Sequence, residues 1–399
     1  MDFSLSRGSK NHAVFVTPVM PTMHGRGPGF RAYQWVCFLA KHFEKVTVLC
    51  TSVYGVNETI PDEFIHHKKI QVFISTRKIG SFCRFLNVLA LKPSTYNFVN
   101  RDLENWLVNL PLSSPDFVAG FKITSYPVLI WLKKRFKQSI AALDIDEVNS
   151  KRVWDILLLM KKNGLFYSSY NLLPEVIGYR ILESALLHDL DHIIVSTEKE
   201  RVYFNTISAF RPCNIFENRF PVKKPAEAKK DGIFQFLFVG NSIHYPNRDA
   251  IETILFEIIP QMKRGTANKF KIVIVGGAPN ASLRKKLHHY KEIEYLPDTD
   301  DLDAIYRKSH AALIPLRSGG GSSLKVLEAM ANRKAVISTT TGIRGFSLKH
   351  GAQCLISDEP ETLAGFCINL IDNRKMAKQI AENGYRWFLK NQSYDAKCT

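Results

Sequence analysis

Residues 317–330 read RSGGGSSLKVLEAM. Arg317 precedes three consecutive glycines, Gly319, Gly320 and Gly321. Ser322 and Ser323 follow, then Lys325, and Glu328 three residues further on. Glycines let a backbone approach a ligand closely, and the amide groups at a helix start favour an anion. The preceding AALIP, residues 311–315, predicts a strand, and LKVLEAM predicts a helix, so the glycines occupy a strand-to-helix junction. No Gly-Lys-Ser/Thr closes the loop, which excludes a Walker motif. Arg317 and Lys325 flank the loop where they would neutralise a diphosphate. Glu328, about a turn deeper, suits the vicinal hydroxyls of a ribose. The set reads as a site for a nucleoside diphosphate; the bland alternative is a glycine-rich turn before a solvated helix.

Other groups carry weaker signals. Gly240, beside Asn241, and Gly276 end two apolar runs, where ligands of open α/β sheets collect but simple turns also occur. Gly25 and Gly27 lie in the loop after the first run and read equally as phosphate neighbours or as a tight turn. Asp144, Asp146 and Glu147 follow a strand end and read as binding acceptor or donor hydroxyls or as a base, or else as a charged loop cap. The cluster Asp298, Asp300, Asp301, Asp303 is expected to cap the following helix rather than to bind a divalent ion. Histidine and cysteine spacing gives no metal site, and no Gly-x-Ser-x-Gly elbow points to acyl transfer.

The elements that must position these residues alternate. AVFVT (13–17), a glycine-bearing loop, a helical pattern over 31–42 and VTVLC (46–50) form a βαβ opening. Further strands are predicted at 117–118, 141–145 and 192–196, the last entered from a helix over 180–190. The polar ENRFPVKKPAEAKKDG, residues 217–232, reads as a linker. Beyond it the alternation restarts: strands at 234–239, 271–275, 293–296, 311–315, 335–338 and 354–356, with helices at 249–262, 281–290 and 300–309 between them. A chain of 399 residues accommodates two such domains.

No apolar run is long enough for a signal peptide or a membrane span, and the seven cysteines are scattered singly, so a soluble cytoplasmic chain is expected. The net charge of +17 is uneven: residues 64–101 and 117–143 contain no acid and interleave lysine and arginine with apolar side chains. A solvated basic face is the simple reading; an anionic lipid surface or a nucleic acid is the sharper one.

Residues 315–346, PLRSGGGSSLKVLEAMANRKAVISTTTGIRGF, resemble the signature of GT-B retaining glycosyltransferases of family 4. FLFVGNSIHYPNRDA, KIVIVGGAP and DTDDLDAIYRKSHAALIPLR resemble it too, in the expected order. Upstream, TPVMPTMHGRGPGFR, LDIDEVNS and RILESALLHDLDHIIVSTEKE look more loosely like the bacterial sugar-transferase branch.

The resemblance implies an α/β GT-B fold, two Rossmann-like domains facing a central cleft. The domains are expected to be 1–216 for the acceptor, 217–232 as linker, 233–384 for the nucleotide sugar, and 385–399 as a helix crossing back to the first domain. It implies retention without metal or other cofactor and a glycan or lipid-linked acceptor; the basic first half then suits an anionic inner leaflet, and the lack of any recognisable reading motif argues against a nucleic acid partner.

In those terms Arg317 and Lys325 stabilise the leaving diphosphate with the backbone of Gly319, Gly320, Gly321, Ser322 and Ser323. Glu328 holds the ribose, and Leu296 and Pro297 border the base. Gly25, Gly27, Gly240 and Asn241 complete the donor side, and Asp144, Asp146 and Glu147 the acceptor side. Two departures stand out. The first glutamate of the family's E-x7-E falls at Gly320, and the usual arginine and lysine after the first nucleotide-domain strand are replaced by Asn241 and Pro246. They motivate a second reading, a non-catalytic partner that binds a nucleotide sugar or glycan.

Overall fold

The computed structural model describes residues 11–23, 27–51, 59–75, 84, 86–88, 90–96, 99–207, 213–223, 232–277, 279, 281–297, 299 and 301–394. The chain divides into two compact units, residues 1–217 with 397–399, and residues 218–396.

The first unit carries seven strands: β1 His12–Thr17, β2 Lys45–Cys50, β3 Ile70–Ile74, β4 Phe117–Phe121, β5 Ile140–Asp146, β6 His192–Val195 and β7 Cys213–Ile215. They pair in parallel in the order β3-β2-β1-β4-β5-β6-β7. Every residue of β1 and β4 is buried, as expected of central strands covered by helices on both faces. One apolar cluster includes Phe15, Trp35 and Val48; the other includes Val118, Leu143 and Ile193. The chain winds outward from β1 in one direction and from β4 in the other, so the topological switch lies between them. β3 and β7 lie outside the strands read from the sequence. β3 sits at a sheet edge where only Ile70 is fully buried, so its apolar signal is short and its surroundings basic.

The second unit has a parallel sheet of β9 Phe234–Val239, β10 Phe270–Val275, β11 Ile293–Leu296, β12 Ala311–Ile314, β13 Ala335–Ser338 and β14 Leu355–Ile356, in the order β11-β10-β9-β12-β13-β14. Its switch falls between β9 and β12. The helical run after β9 starts at Tyr245 and contains a π segment, Ile254–Ile258. Pro260 follows that segment; it lacks an N–H and crowds the carbonyl four residues back, which a wider turn relieves.

Two expectations about connections change. Phe220–Pro221 (β8), inside the expected linker, pairs in parallel with Ser393–Tyr394 (β15). The last helix spans Arg374–Asn391, beginning well before residue 385, and packs on β13 and the helix Leu324–Ala331 of the second unit. Cys50, Cys213, Cys354 and Cys367 are free and buried, whereas Cys37 is disulfide-bonded, so the reading of single thiols throughout does not hold there. No helix among the described residues is long and apolar enough to cross a membrane.

Candidate functional site

In the second unit the carboxyl ends of β9, β10 and β12 bring the glycine-bearing loops to the switch point, the usual ligand crevice of an open α/β sheet. The loops after β9 and β10 are in contact. A Cβ on Gly276, at φ +157°, would fall 2.1 Å from the Gly240 carbonyl oxygen, and a Cβ on Gly277 would fall 2.7 Å from the Asn241 amide nitrogen. The first clash is with backbone, so Gly276 serves close backbone approach, whereas the second is with the end of the Asn241 side chain. Asn241 Oδ1 accepts from Ile243 N–H at 2.9 Å, and Asn247 donates to the Asn241 carbonyl at 2.9 Å. Tyr295 donates from its hydroxyl to the carbonyls of Gly276 (2.6 Å) and Gly277 (2.9 Å), so it anchors this corner. Leu296 is half-buried and its carbonyl accepts from Gly276 N–H at 3.2 Å; Pro297 is exposed beside it.

The quoted loop leaves β12 and enters the helix Leu324–Ala331 through Ser323. Gly319 (φ +147°) and Gly321 (φ +64°) hold backbone that other residues adopt only with strain. Ser318 and Ser323 are both 3% exposed, and among the described residues neither hydroxyl has a hydrogen-bond partner. Buried polar groups are almost always paired, so two orphan hydroxyls in one loop mark a place for a ligand or water. Ser322 differs, since its hydroxyl accepts from Asn218 at 2.6 Å.

Lys325 lies with its ammonium 5.9 Å from the centre of the Phe238 ring. Burial, reinforced by the charge of Arg344, lowers its pKa to about 8. Burial raises Glu328 to about 7; Asp303 adds to this, while Lys223 and Lys325 oppose it. Tyr306 donates to Glu328 Oε2 at 3.5 Å. The lysine and glutamate read from the sequence are thus near neighbours, each held close to its titration point.

Arg317 is placed differently from expectation. Its Nε donates to Asp249 Oδ2 at 2.8 Å and its Nη2 to Asp249 Oδ1, a bidentate pair with a carboxylate only 1% exposed; Glu257 lies 3.7 Å away. The guanidinium is therefore committed to an internal pair and braces the loop against the helix after β9. Its role as a diphosphate ligand rested on sequence proximity, which does not register a partner 68 residues away. Asp301 caps its helix by accepting from Ala304 N–H at 2.9 Å, and Asp303 pairs with Lys223; Asp298 and Asp300 lie outside the described residues. Among the described residues no group of three His, Cys, Asp or Glu side chains is placed to hold a metal ion.

In the first unit the LDID segment is split by burial. Asp144 is fully buried and accepts from Arg31 Nε (2.8 Å) and Nη2 (3.0 Å), from Trp35 Nε1 (2.5 Å) and from Asp146 N–H (2.8 Å). It has no surface to offer an acceptor, so that expectation is corrected for Asp144: the carboxylate neutralises buried Arg31. Burial works against the Arg31 charge, but Asp144 and Asp146 outweigh it and raise the pKa.

Asp146 and Glu147 remain at the strand ends, paired with residues the sequence did not single out. Lys122 reaches Asp146 at 2.7 Å and Glu147 at 3.8 Å, and Arg152 reaches Glu147 at 3.0 Å. Lys122 and Asp146 both take left-handed backbone, φ +62° and +61°. Such conformations in non-glycine residues concentrate at functional sites. Gly27 opens the helix Gly27–His42, and Gly25 lies outside the described residues.

Residues 234–373 match the family described as Glycosyl transferases group 1. An uncharacterized 44.6 kDa protein from the cps region of Klebsiella pneumoniae is 29% identical over 189 residues, spanning 45% of this chain and 48% of that relative, so the match takes in about half of its length. The structure is similar to that of sucrose-phosphate synthase from Thermosynechococcus elongatus, with a TM-score of 0.67 at 13% identity over 96% of this chain and 95% of that one. It is also similar to that of HepE from Anabaena, solved with UDP and glucose, with a TM-score of 0.64, at 10% identity over 97% and 96%. At such identities the likeness is one of fold, and the fold is GT-B.

Proposed function

We propose that this chain, whose residues 234–373 match the group 1 glycosyl transferase family and whose fold is GT-B, transfers a sugar, with retention, from a nucleoside-diphosphate sugar to a hydroxyl of a growing glycan or lipid-linked acceptor. The observation that carries this reading is the meeting of the glycine loop, two unpartnered buried hydroxyls, Lys325 and Glu328 at the switch point of the second unit. Glu328 accepts from the ribose hydroxyls, the loop backbone from Gly319 to Ser323 and the Lys325 ammonium face the diphosphate, and Leu296 and Pro297 border the base. The bond from the anomeric carbon to the diphosphate oxygen breaks, the acceptor oxygen bonds to that carbon, and the hydroxyl proton leaves with a base. Acceleration comes from positioning and from neutralising the departing diphosphate, and we propose that no metal is required. The acceptor is met in the first unit near Asp146, Glu147 and Lys122. The cps-region setting of the Klebsiella relative supports a place in cell-envelope polysaccharide assembly, and the UDP-bound neighbour makes UDP the first nucleotide to try.

A thermal-shift series with UDP, GDP, dTDP and CMP tests the donor site. One nucleoside diphosphate is expected to stabilise the protein and to lose that effect in Glu328→Ala. Binding without transfer to any acceptor would favour the non-catalytic reading, which Gly320, Asn241 and Pro246 motivate.

We further propose cytoplasmic location with peripheral docking on an anionic membrane. Of the basic stretches that suggested it, 64–101 falls partly outside the described residues, including 76–83, and in 117–143 Lys133 is tied to Asp191 at 2.7 Å. Support comes instead from the helices Asn149–Lys162, Phe166–Tyr170 and Leu173–Asp189, which expose Trp154, Leu158, Phe166, Tyr167, Ile177 and Ile181 beside exposed Lys161, Lys162 and Arg180. Aromatic and aliphatic side chains among cations suit a headgroup boundary. Flotation with phosphatidylglycerol vesicles is expected to fall several-fold in Phe166→Ser/Tyr167→Ser; unchanged flotation would remove this face as the docking surface.

A further inference from the structure

We propose that Arg344, in the turn after β13, is the guanidinium that binds the diphosphate of the donor, acting with Lys325 across the glycine loop. The inference rests on the donor-site reading above and assigns the cation that Asn241, Pro246 and the committed Arg317 leave unassigned.

Arg344 Nε donates to the Gly320 carbonyl at 2.8 Å and Nη1 to the Thr341 carbonyl at 3.0 Å, which fixes the guanidinium over the loop. The approach is so close that a Cβ on Gly319 would lie 2.8 Å from Arg344 Cζ. The Arg344 carbonyl in turn accepts from Ser323 N–H at 3.2 Å, so one residue holds both the middle of the loop and the helix start. Its charge also helps to depress the Lys325 ammonium, which places two cations around one small volume. Like charges brought together at a buried loop are stable when an anion lies between them.

The orphan hydroxyls of Ser318 and Ser323 supply the second, independent sign. Neither is needed to hold the loop, and both are donors that a phosphate oxygen satisfies. A guanidinium, an ammonium and two hydroxyls on a glycine-lined helix start select a phosphate or diphosphate rather than a carboxylate or a neutral sugar. Arg344 stands where the tight Gly319 backbone is required, which explains why a glycine occupies that position better than turn geometry alone does.

The test compares affinities for UDP, UMP, uridine and inorganic pyrophosphate by titration calorimetry, in wild type, Arg344→Gln and Arg344→Lys. Another nucleoside series replaces the uridine one if the thermal-shift screen selects it. Arg344→Gln is expected to weaken the diphosphate and pyrophosphate roughly 10- to 100-fold while leaving the nucleoside unchanged, and Arg344→Lys to weaken them less, since it keeps a point charge without the fork. Equal losses for nucleoside and diphosphate would make Arg344 a loop brace only and overturn the assignment. So would unchanged diphosphate binding in a folded variant. If Arg344→Gln does not fold, Arg344→Lys carries the same comparison. Wild type that binds the diphosphate through Glu328 but ignores both Arg344 variants sinks this inference alone. Wild type that binds no nucleotide and no pyrophosphate sinks the donor-site reading and this inference with it.

Discussion

Asp144→Ala is expected to destabilise the first unit by up to about 3–5 kcal/mol, because it removes the bidentate carboxylate from the buried Arg31 charge and leaves it only Asp146, at 3.3 Å. The loss should exceed that of an ordinary core hydrogen bond. Arg31 is 1% exposed, and the Trp35 indole N–H and the Asp146 amide lose their acceptor at the same time. Chemical denaturation should show the first transition moving to markedly lower denaturant. Asp144→Asn retains an acceptor oxygen and should lie between wild type and Ala. Replacing both partners, Arg31→Met with Asp144→Leu, should recover part of the loss, since a removed pair leaves no bare charge. If Asp144→Ala instead kept full stability and lost only acceptor use, the structural role assigned here would be wrong and the original expectation for Asp144 restored.

Affinity for the nucleoside diphosphate is expected to peak between about pH 7 and 8. The unliganded site holds Glu328 at about 7, above its ordinary 4.5, and Lys325 at about 8, below its ordinary 10.5. For stability the signs follow from linkage. The contribution of the raised Glu328 is full below 4.5 and is lost as pH rises through about 7. That of the depressed Lys325 is full above 10.5 and is lost as pH falls through about 8. Between these values the empty site holds both charges at a cost, and a ligand carrying ribose hydroxyls and a diphosphate offsets both.

Binding should therefore strengthen from pH 6 to 7.5 as Glu328 ionises and weaken above about 8 as Lys325 loses its proton. Glu328→Gln should lower affinity about 10- to 100-fold at pH 7.5, the value of hydrogen bonds to a charged acceptor, and flatten the acid limb. The same variant should raise the melting temperature of the free protein at pH 8, because a costly buried carboxylate is gone. An acid limb that survives in Glu328→Gln would show that Glu328 is not the titrating group.

How much of this was legible in the sequence follows from the range of the interactions involved. Runs such as FQFLFV and AVIS are apolar on both faces over one strand length, so β9 and β13 could be read directly, as could the glycine loop and the helix behind it. Glu328 was singled out by its spacing from the glycine loop along one helix, whereas its partner Tyr306, 22 residues away, was not legible. The edge strand β3 and the two-residue strands β8 and β15 were not, because their pairing depends on distant chain and their burial pattern is thin.

The electrostatics of the site were decided only by the tertiary structure. Arg317 and Asp249 are 68 residues apart, and Arg31 and Asp144 are 113 apart. Nothing in local spacing shows that these charges cancel one another inside the protein and are withdrawn from ligands. Lys122, Arg152 and Arg344 gained their places the same way, each on the segment that follows a strand of a parallel sheet. The sequence by itself determined the two alternating halves, the glycine-lined strand-to-helix junction, and Lys325 and Glu328 behind it. Which other charges stand at that junction depended on burial and long-range pairing, because a cation's availability is set by the carboxylates that folding brings to it.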